Sequence, residues 1–316
     1  EYPEVLGTTA PPANKAELRT RGWEVSVKWN DRIGNDFSYD LGFILSDSQA
    51  EITKYENPSG TLSDYYVGQK IAEIWGYETI GIAQSDQEMA EHIGRLINGG
   101  QSNLGQDWKA GDIMYKDLNE DGKIDAGSRT LQDHGDLKRI GNSTPRYNVG
   151  LELAADWKGF DIRMFWQGTL KRDYFQGSYY FWGANGRQGP WFSTALKGHD
   201  DYFRNDEASP LGTNLNSYYP RPLFNTDKNQ QSQTKYLQDA SYLRLKNLQI
   251  GYSLPHNIVQ KMGMQHLRIF ASGENLFTIT SLIDFFDPES IEGGSWGHGN
   301  VYPLSRTFSF GLNVTF

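Results

Sequence analysis

The final stretch of the chain, from Ser305 to Phe316, alternates between apolar and polar or small side chains. Every second residue from position 308 is apolar: Phe308, Phe310, Leu312, Val314 and Phe316. Because a β-strand directs alternate side chains to opposite faces, this pattern predicts a strand with one apolar and one polar face. Its length is close to the about 9–11 residues that a tilted strand needs to cross a bilayer. A transmembrane barrel strand and an edge strand of a soluble sandwich both fit this stretch.

Six earlier stretches show the same alternation, so the sequence predicts about seven strands in total. They cover residues 23–30, 37–45, 147–158, 160–167, 240–254 and 267–273. Short polar turns at 31–36 and at Lys158-Gly159 join consecutive stretches and predict antiparallel hairpins. Within 240–254 the apolar phase shifts between Leu245 and Leu248, which predicts a β-bulge.

The connections between these strands alternate between short and long. The long ones cover about 47–142, 171–235 and 278–304, and the first contains a short helix predicted over 85–98. Outer-membrane barrels have short periplasmic turns and long extracellular loops. The pattern therefore favours an all-β protein, a transmembrane antiparallel β-barrel with its C-terminus in the periplasm. Because about seven strands are too few to close such a barrel, we expect residues 1–316 to be the C-terminal section of a larger one.

The composition excludes several other kinds of protein. The chain has no cysteine, which rules out disulfides and thiolate metal sites, and its net charge of -9 argues against a nucleic-acid partner. No run of about 18 apolar residues that could form a transmembrane helix is found. The sequence also has no nucleophile elbow and no phosphate-binding glycine loop, and we expect no enzymatic activity. A glycoside hydrolase, which needs two carboxylates about 5–9.5 Å apart, is a remaining alternative.

Short motifs occur in order over nearly the whole chain. They are Ala16-Glu17-Leu18, Gly22-Trp23-Glu24, Ile74-Trp75-Gly76-Tyr77, Gly111-Asp112-Ile113, the run Asp117 to Asp125, Thr144-Pro145-Arg146-Tyr147, the run Tyr242 to Leu248, and Gly273-Glu274-Asn275-Leu276-Phe277. With the C-terminal strand, their order and spacing resemble the SusC/RagA family of TonB-dependent outer-membrane transporters from Bacteroidetes.

This resemblance implies a 22-stranded barrel with an N-terminal plug, of which the plug and the motif that contacts TonB are absent from the chain. It implies a SusD-like surface lipoprotein that caps the barrel, usually with two such pairs joined. It also implies active import of oligosaccharides, or in some members peptides, powered by TonB, ExbB and ExbD. A secreted β-rich carbohydrate-binding module is the alternative from another class of protein.

The run from Asp117 to Asp125 also matches an EF-hand-type calcium loop. Oxygen ligands fall at loop positions one, three, five, seven and nine: Asp117, Asn119, Asp121, the Lys123 carbonyl and Asp125. Gly122 is at position six, but position twelve is Ser128 instead of Glu, with Asp133 or Asp136 as substitutes. The alternative is a turn stabilised by its own hydrogen bonds. We expect calcium, if it binds, to stiffen an extracellular loop, and we expect no other cofactor.

Aromatic residues in the second and third long connections are candidates for contacts with substrate or partner. They are Tyr174, Phe175, Tyr179, Tyr180, Trp182, Trp191, Phe286 and Trp296. Aromatic rings flanked by amide and charged groups suit the apolar faces and hydroxyl rims of sugars. The same residue types also suit packing within a loop or against a protein partner, where Tyr, Trp and Arg are enriched. The sequence leaves both roles open for each residue.

Overall fold

Strands account for most of the regular structure in the computed structural model, which describes residues 14–184, 186, 190–193, 195–292, 299 and 301–316. The strands in these ranges are β1 (Glu17–Ile33), β2 (Phe37–Lys54), β3 (Glu73–Tyr77), β4 (Thr79–Ile82), β5 (Ile113–Tyr115), β6 (Leu137–Asn142), β7 (Arg146–Trp157), β8 (Phe160–Lys171), β9 (Asp173–Phe175), β10 (Leu237–Asp239), β11 (Tyr242–Ser253), β12 (His266–Thr280) and β13 (Thr307–Thr315). The antiparallel, all-β fold class predicted from the sequence is confirmed.

The helices are short. The α-helices are α1 (Asp86–Arg95), α2 (Tyr179–Trp182) and α3 (His256–Val259), and 3-10 turns occur at Pro190–Phe192, Lys197–Asp200, Thr234–Tyr236 and Gln260–Met262. Within the described ranges, no helix combines the length and the apolar character that crossing a membrane requires.

Seven strands form one antiparallel sheet in the order β1-β2-β7-β8-β11-β12-β13. Successive strands in this order are neighbours, so the sheet is a meander whose short and long connections alternate. The sheet is open, because β1 and β13 are its outer strands and do not pair with each other in the described structure. Three small two-stranded sheets, β9 with β10, β3 with β6 and β4 with β5, lie in the long connections.

One face of the main sheet is apolar across all seven strands. The register aligns whole rows of side chains, one of which is Trp29, Leu41, Leu153, Met164, Leu248, Gly273 and Phe308. A parallel row is Ile33, Phe37, Trp157, Phe160, Tyr252, Ile269 and Leu312. Many of these side chains are exposed, up to 86% for Phe310 of the same face. Exposed apolar surface of this extent marks a face that contacts another molecule or a lipid phase.

The opposite face of the sheet is polar. The row next to that of Trp29 is Asn30, Asp40, Ala154, Arg163, Gln249, Ser272 and Ser309. The alternation seen in each strand is therefore kept in register through the whole sheet, and the sheet separates an apolar side from a polar side.

The predicted β-bulge lies at Lys246. The register of β11 with both β8 and β12 shifts between Leu245 and Asn247. The extra residue keeps Leu245 and Leu248 on the apolar face although they are three positions apart, because it restores the two-residue period on the far side of the bulge.

The strands β1, β2 and β12 extend beyond their predicted ends. The strand β1 starts at Glu17 instead of residue 23, and β2 continues to Lys54, inside the predicted loop 47–142. Likewise, β12 continues to Thr280. In the pairing of β2 with β7 the last pair is Ser46 with Asn148; beyond it β2 pairs with β1 and also hydrogen-bonds to residues 68–71. Ile52 is buried there, but apolar residues do not alternate along this part of β2, so its sequence did not predict a strand.

The helix predicted over 85–98 is α1, which is shorter. The Ser85 hydroxyl caps it by accepting the Glu88 N–H at 3.1 Å. The chain leaves the helix at Leu96, which has φ −94° and ψ 83°. Ile97, inside the predicted range, therefore lies beyond the helix and is 84% exposed.

Candidate functional site

The three long connections leave the main sheet at the same end of its strands and pack into one body, which we call the loop assembly. Its core takes buried side chains from all three connections: Tyr77, Ile113, Tyr115, Phe181, Trp182, Tyr219, Tyr236, Leu282, Phe286 and Ile291. Tyr115 and Phe181 are fully buried. The main buried core of the described structure thus lies in the loops, whereas the apolar face of the sheet stays open.

A buried carboxylate joins the first long connection to the second. Asp112 is fully buried and accepts hydrogen bonds from Arg221 Nε and Nη2, both at 2.7 Å, and from Asn229 Nδ2 at 2.9 Å. Lys228 Nζ lies 2.9 Å from Asp112 Oδ2 and 4.6 Å from the centre of the Trp108 ring. Burial alone would raise the pKa of Asp112, but the hydrogen bonds from Arg221, Lys228 and Asn229 outweigh it, so the pKa of the carboxyl lies below its ordinary value.

A cleft of about 440 Å³ opens beside Arg221 in the second connection. Trp182, Tyr219 and the exposed ring of Phe224 line it. The Trp182 indole Nε1 and the Tyr219 hydroxyl are buried, and neither has a hydrogen-bond partner among the described residues. An unpaired buried donor costs about 1–3 kcal/mol. Such groups in a cleft wall therefore mark a place where a ligand or a bound water completes the structure.

Two acceptors that line this cleft are already used within the protein. His199 Nδ1 accepts the Leu196 N–H at 2.9 Å, so Nε2 carries the ring hydrogen and donates to the Phe181 carbonyl at 3.0 Å. Burial lowers the pKa of His199, and the ring is neutral at pH 7. Asn229 Oδ1 accepts the Ile113 N–H at 2.9 Å. These two acceptors of the described wall are therefore not available to a ligand.

The aromatic residues predicted to contact substrate or partner occupy different environments. Trp182 and Phe286 are buried in the core of the loop assembly, and Trp191 is 91% exposed. Trp296 lies outside the described residues. The others are half-buried: Tyr174, Phe175, Tyr179 and Tyr180. Of this set, the structure places Trp182 in the cleft wall.

The calcium ligands predicted from the sequence lie in one turn, where their side chains form hydrogen bonds and ion pairs with one another and with the backbone. Lys123 Nζ lies 2.6 Å from Asp125 Oδ2 and 3.7 Å from Asp121 Oδ2. Asp136 accepts backbone N–H groups of Leu118 and Asp125 at 2.6 and 2.9 Å. In the described part of the chain, no three His, Cys, Asp or Glu side chains are arranged to hold a metal ion. Calcium binding at this turn stays a prediction. Calorimetric titration of the full-length protein with calcium tests it, and a titration that produces no heat would contradict it.

The geometry of this turn gives a prediction that does not depend on calcium. Asp117 accepts the Gly122 N–H at 2.8 Å and the Asp121 N–H at 3.3 Å. We expect Asp117→Ala to destabilise the turn by about 1–2 kcal/mol, because the Gly122 N–H loses its acceptor and the Asp121 N–H keeps only Asn119 Oδ1, at 3.2 Å. Faster amide hydrogen exchange over 117–125 measures this effect. The control Asp117→Asn keeps one acceptor oxygen and should exchange more slowly than the alanine variant; equal exchange in all three proteins would contradict this role.

Two further arginines of the sequence motifs tie strands to neighbouring segments. Arg146 at the start of β7 forms a double hydrogen bond with Asp47 of β2, with Nη2 2.6 Å from Oδ2. Arg244 of β11 is buried and donates to Glu289 and Asp287 of the third connection, both at 2.6 Å. Arg146 thus joins two strands of the sheet, and Arg244 holds the third connection on it.

Sequence reasoning missed the cleft and the Asp112 cluster. Asp112 belongs to a recognised motif, but its partners Arg221 and Lys228 lie 109 and 116 residues further along the chain, as the positions show. The local signal was the run Tyr218-Tyr219-Pro220-Arg221-Pro222, where prolines fix the backbone on both sides of an arginine.

Known proteins are similar in sequence to this chain over nearly its full length. No protein-family model matches it. TonB-dependent receptor P3 of Formosa agariphila is 27% identical over 336 residues, which cover 99% of this chain and 30% of the relative. TonB-dependent receptor SusC of Bacteroides thetaiotaomicron is 25% identical over 96% of this chain and 27% of its own length. The chain thus spans about 30% of the length of the curated relatives it matches.

A solved structure shares the fold. The structure of the RagAB peptide transporter superposes with a TM-score of 0.68 and 21% identity, covering 100% of this chain and 31% of the other. This chain is therefore similar in sequence, over nearly its full length, to TonB-dependent receptors that include SusC, and it shares the fold of the RagAB peptide transporter.

Proposed function

We propose that the chain forms part of an outer-membrane transporter that imports oligosaccharides with energy from TonB. In this proposal the main sheet is part of a transmembrane barrel wall, with the apolar face toward lipid and the polar face toward the lumen. The observation that carries the proposal is the exposed apolar face, which continues in register over all seven strands. A secreted carbohydrate-binding module would need to cover such a face, whereas a lipid bilayer solvates it.

The loop assembly then lies on the cell surface, and the C-terminus lies in the periplasm, because all three long connections leave one edge of the sheet. A SusD-like lipoprotein covers the loop assembly, two such pairs join, and TonB, ExbB and ExbD act through a region outside this chain. No catalytic step is part of this function. The names of the curated relatives support TonB-dependent uptake, but they name no substrate.

Oligosaccharide is the proposed cargo because aromatic rings and polar groups together line the cleft in the loop assembly. A peptide importer is the alternative within the same architecture, since such a cleft also accepts peptide side chains. Binding of neutral and acidic oligosaccharides and of peptides to the purified full-length receptor, measured by calorimetry, separates the two. Tight binding of peptides with no heat from any glycan would overturn the glycan assignment.

The membrane position has its own test, because the chain contains no native cysteine. Val27 lies in an apolar row and Lys28 in the polar row beside it. In outer membranes, we expect Lys28→Cys to react with a water-soluble maleimide and Val27→Cys to react only with a lipid-soluble one. Equal labelling of both cysteines by the water-soluble reagent would contradict a lipid-facing sheet.

A further inference from the structure

We propose that the cleft beside Arg221 binds a carboxylate group of the transported ligand. The inference deepens the proposed import function and rests on it only for how the ligand arrives. The carboxylate can belong to a uronic acid of an acidic oligosaccharide or to the C-terminus of a peptide. Both sources present the same anionic group, and the experiment below distinguishes them.

Arg221 is held in place by partners that leave part of its guanidinium unused. Nε and Nη2 bind Asp112, and Nη2 also donates to the Asp107 carbonyl at 3.0 Å. None of the hydrogen bonds found among the described residues uses Nη1. The side chain of Arg221 is 26% exposed, so this end of the group reaches the cleft that it lines. A planar guanidinium fixed on one side is a preorganised receptor for a carboxylate on the other.

The charge around Arg221 also favours an anion. Asp112 carries one negative charge, and two cations, Arg221 and Lys228, share it. The cluster therefore keeps one positive charge in excess, close to the cleft. Asp200 on the cleft rim and Asp107, whose carboxylate acts on Lys228, oppose this, but both are exposed, so solvent and salt screen them. The partly buried Arg221 guanidinium is screened less.

The other unsatisfied groups of the cleft wall are donors as well. The Trp182 indole and the Tyr219 phenol lack partners in the described structure, and burial raises the pKa of Tyr219, which keeps the phenol protonated. Gln230 Oε1, a further lining acceptor, already accepts the Gly186 N–H at 3.1 Å. Among the described lining residues, a guanidinium, an indole N–H and a phenol O–H are thus left without a full set of partners, and an ionised carboxylate, which only accepts hydrogen bonds, suits them.

The test measures binding to the purified full-length receptor with matched probes. A trimer of galacturonic acid is compared with neutral galactotriose, and a tripeptide with its C-terminal amide. We expect the carboxylate member of at least one pair to bind about tenfold or more tightly than its neutral twin. The pair that discriminates identifies the source of the group. Equal affinity within both pairs, or no binding by any probe, overturns the proposal.

Tyr219→Phe separates a binding role from a structural one. The phenol has no partner to lose, so the variant should melt at an unchanged or higher temperature yet bind the carboxylate probe about tenfold more weakly. Tyr236→Phe is the matched control, because the Tyr236 hydroxyl donates to the Tyr218 carbonyl at 2.8 Å and does not line the cleft. It should melt at a lower temperature with unchanged probe affinity. Wild-type affinity in both Tyr219→Phe and Arg221→Lys would overturn the site.

Failure of this proposal is distinguishable from failure of the import function. If cells take up a neutral glycan through the receptor but the receptor does not distinguish the carboxylate probes from their neutral twins, the import function stands and the cleft assignment is wrong. If the receptor distinguishes the probes but is released from cells without detergent, the cleft assignment stands and the membrane function is wrong.

Discussion

Replacing Asp112 by alanine is expected to destabilise the loop assembly by about 3–5 kcal/mol, the usual cost of removing one partner from a buried charge cluster. The variant leaves the Lys228 ammonium, whose side chain is 1% exposed, without its carboxylate, and Arg221 loses both of its short hydrogen bonds. Hydrogen exchange of the full-length receptor should show faster exchange over residues 100–115 and 219–230 together.

The control for this prediction is Glu17→Gln. Glu17 pairs with Lys54 at 3.3 Å, but both side chains are more than half exposed, at 62% and 61%. Exposed pairs contribute about 0–1 kcal/mol, so exchange in the loop assembly should stay at the wild-type rate. Equal exchange in the Asp112 and Glu17 variants would show that the buried cluster does not hold the two connections together.

The same cluster sets a pH dependence. The folded-state pKa of Asp112 lies below the ordinary value of about 3.9. Its contribution to stability is therefore fully present above pH about 4 and is lost as the pH falls through the lower, folded-state pKa. Acidification should open the loop assembly of the wild type progressively below that point, and Asp112→Asn should show a smaller change over the same range.

Val27→Arg is expected to cost about 2–4 kcal/mol of barrel stability if Val27 faces the middle of the bilayer, whereas Ser26→Arg should cost little. The two residues are neighbours on β1 but belong to opposite faces: Val27 pairs with Phe43 in an apolar row, and Ser26 pairs with Ile44. Both side chains are exposed in this chain, so a difference between the variants comes from the surrounding medium and not from internal packing. The yield of heat-modifiable, folded receptor in outer membranes measures it.

Similar yields for the two arginine variants would mean that both faces of the sheet meet water. A low yield for Ser26→Arg alone would reverse the assignment of faces. Either result removes the apolar rows as the lipid-contacting surface, and with them the observation on which the transport proposal depends.

The sheet was accessible from sequence because its determinants are local. Alternation is a property of neighbouring residues, so the strands around Trp157 and Phe310 and the bulge at Lys246 could be located without knowing their partners. The strand ends were less accessible, since the ribbon from Glu17 is held by backbone hydrogen bonds and has no run of alternating apolar residues.

The cleft depends on contacts between distant parts of the chain. Arg221 is positioned by Asp112, 109 residues away, and Lys228 reaches the Asp107 carbonyl across 121. A sequence motif marks one member of such a cluster but not its partners. Aromatic content likewise could not separate Phe286, which became core, from Phe224, which stays exposed at the cleft. The calcium prediction depends on how the side chains of one turn are oriented, which spacing alone does not fix.

The common core of the three long connections limits how this chain can change. Phe181 of the second connection touches Phe286 of the third, with ring centres 6.4 Å apart, and the second is pinned to the first through Asp112. A single connection exchanged with that of a relative would arrive without the surfaces that its neighbours were shaped to fit. Point substitutions at the mouth of the cleft should therefore change which ligand it binds more readily than exchange of a whole connection.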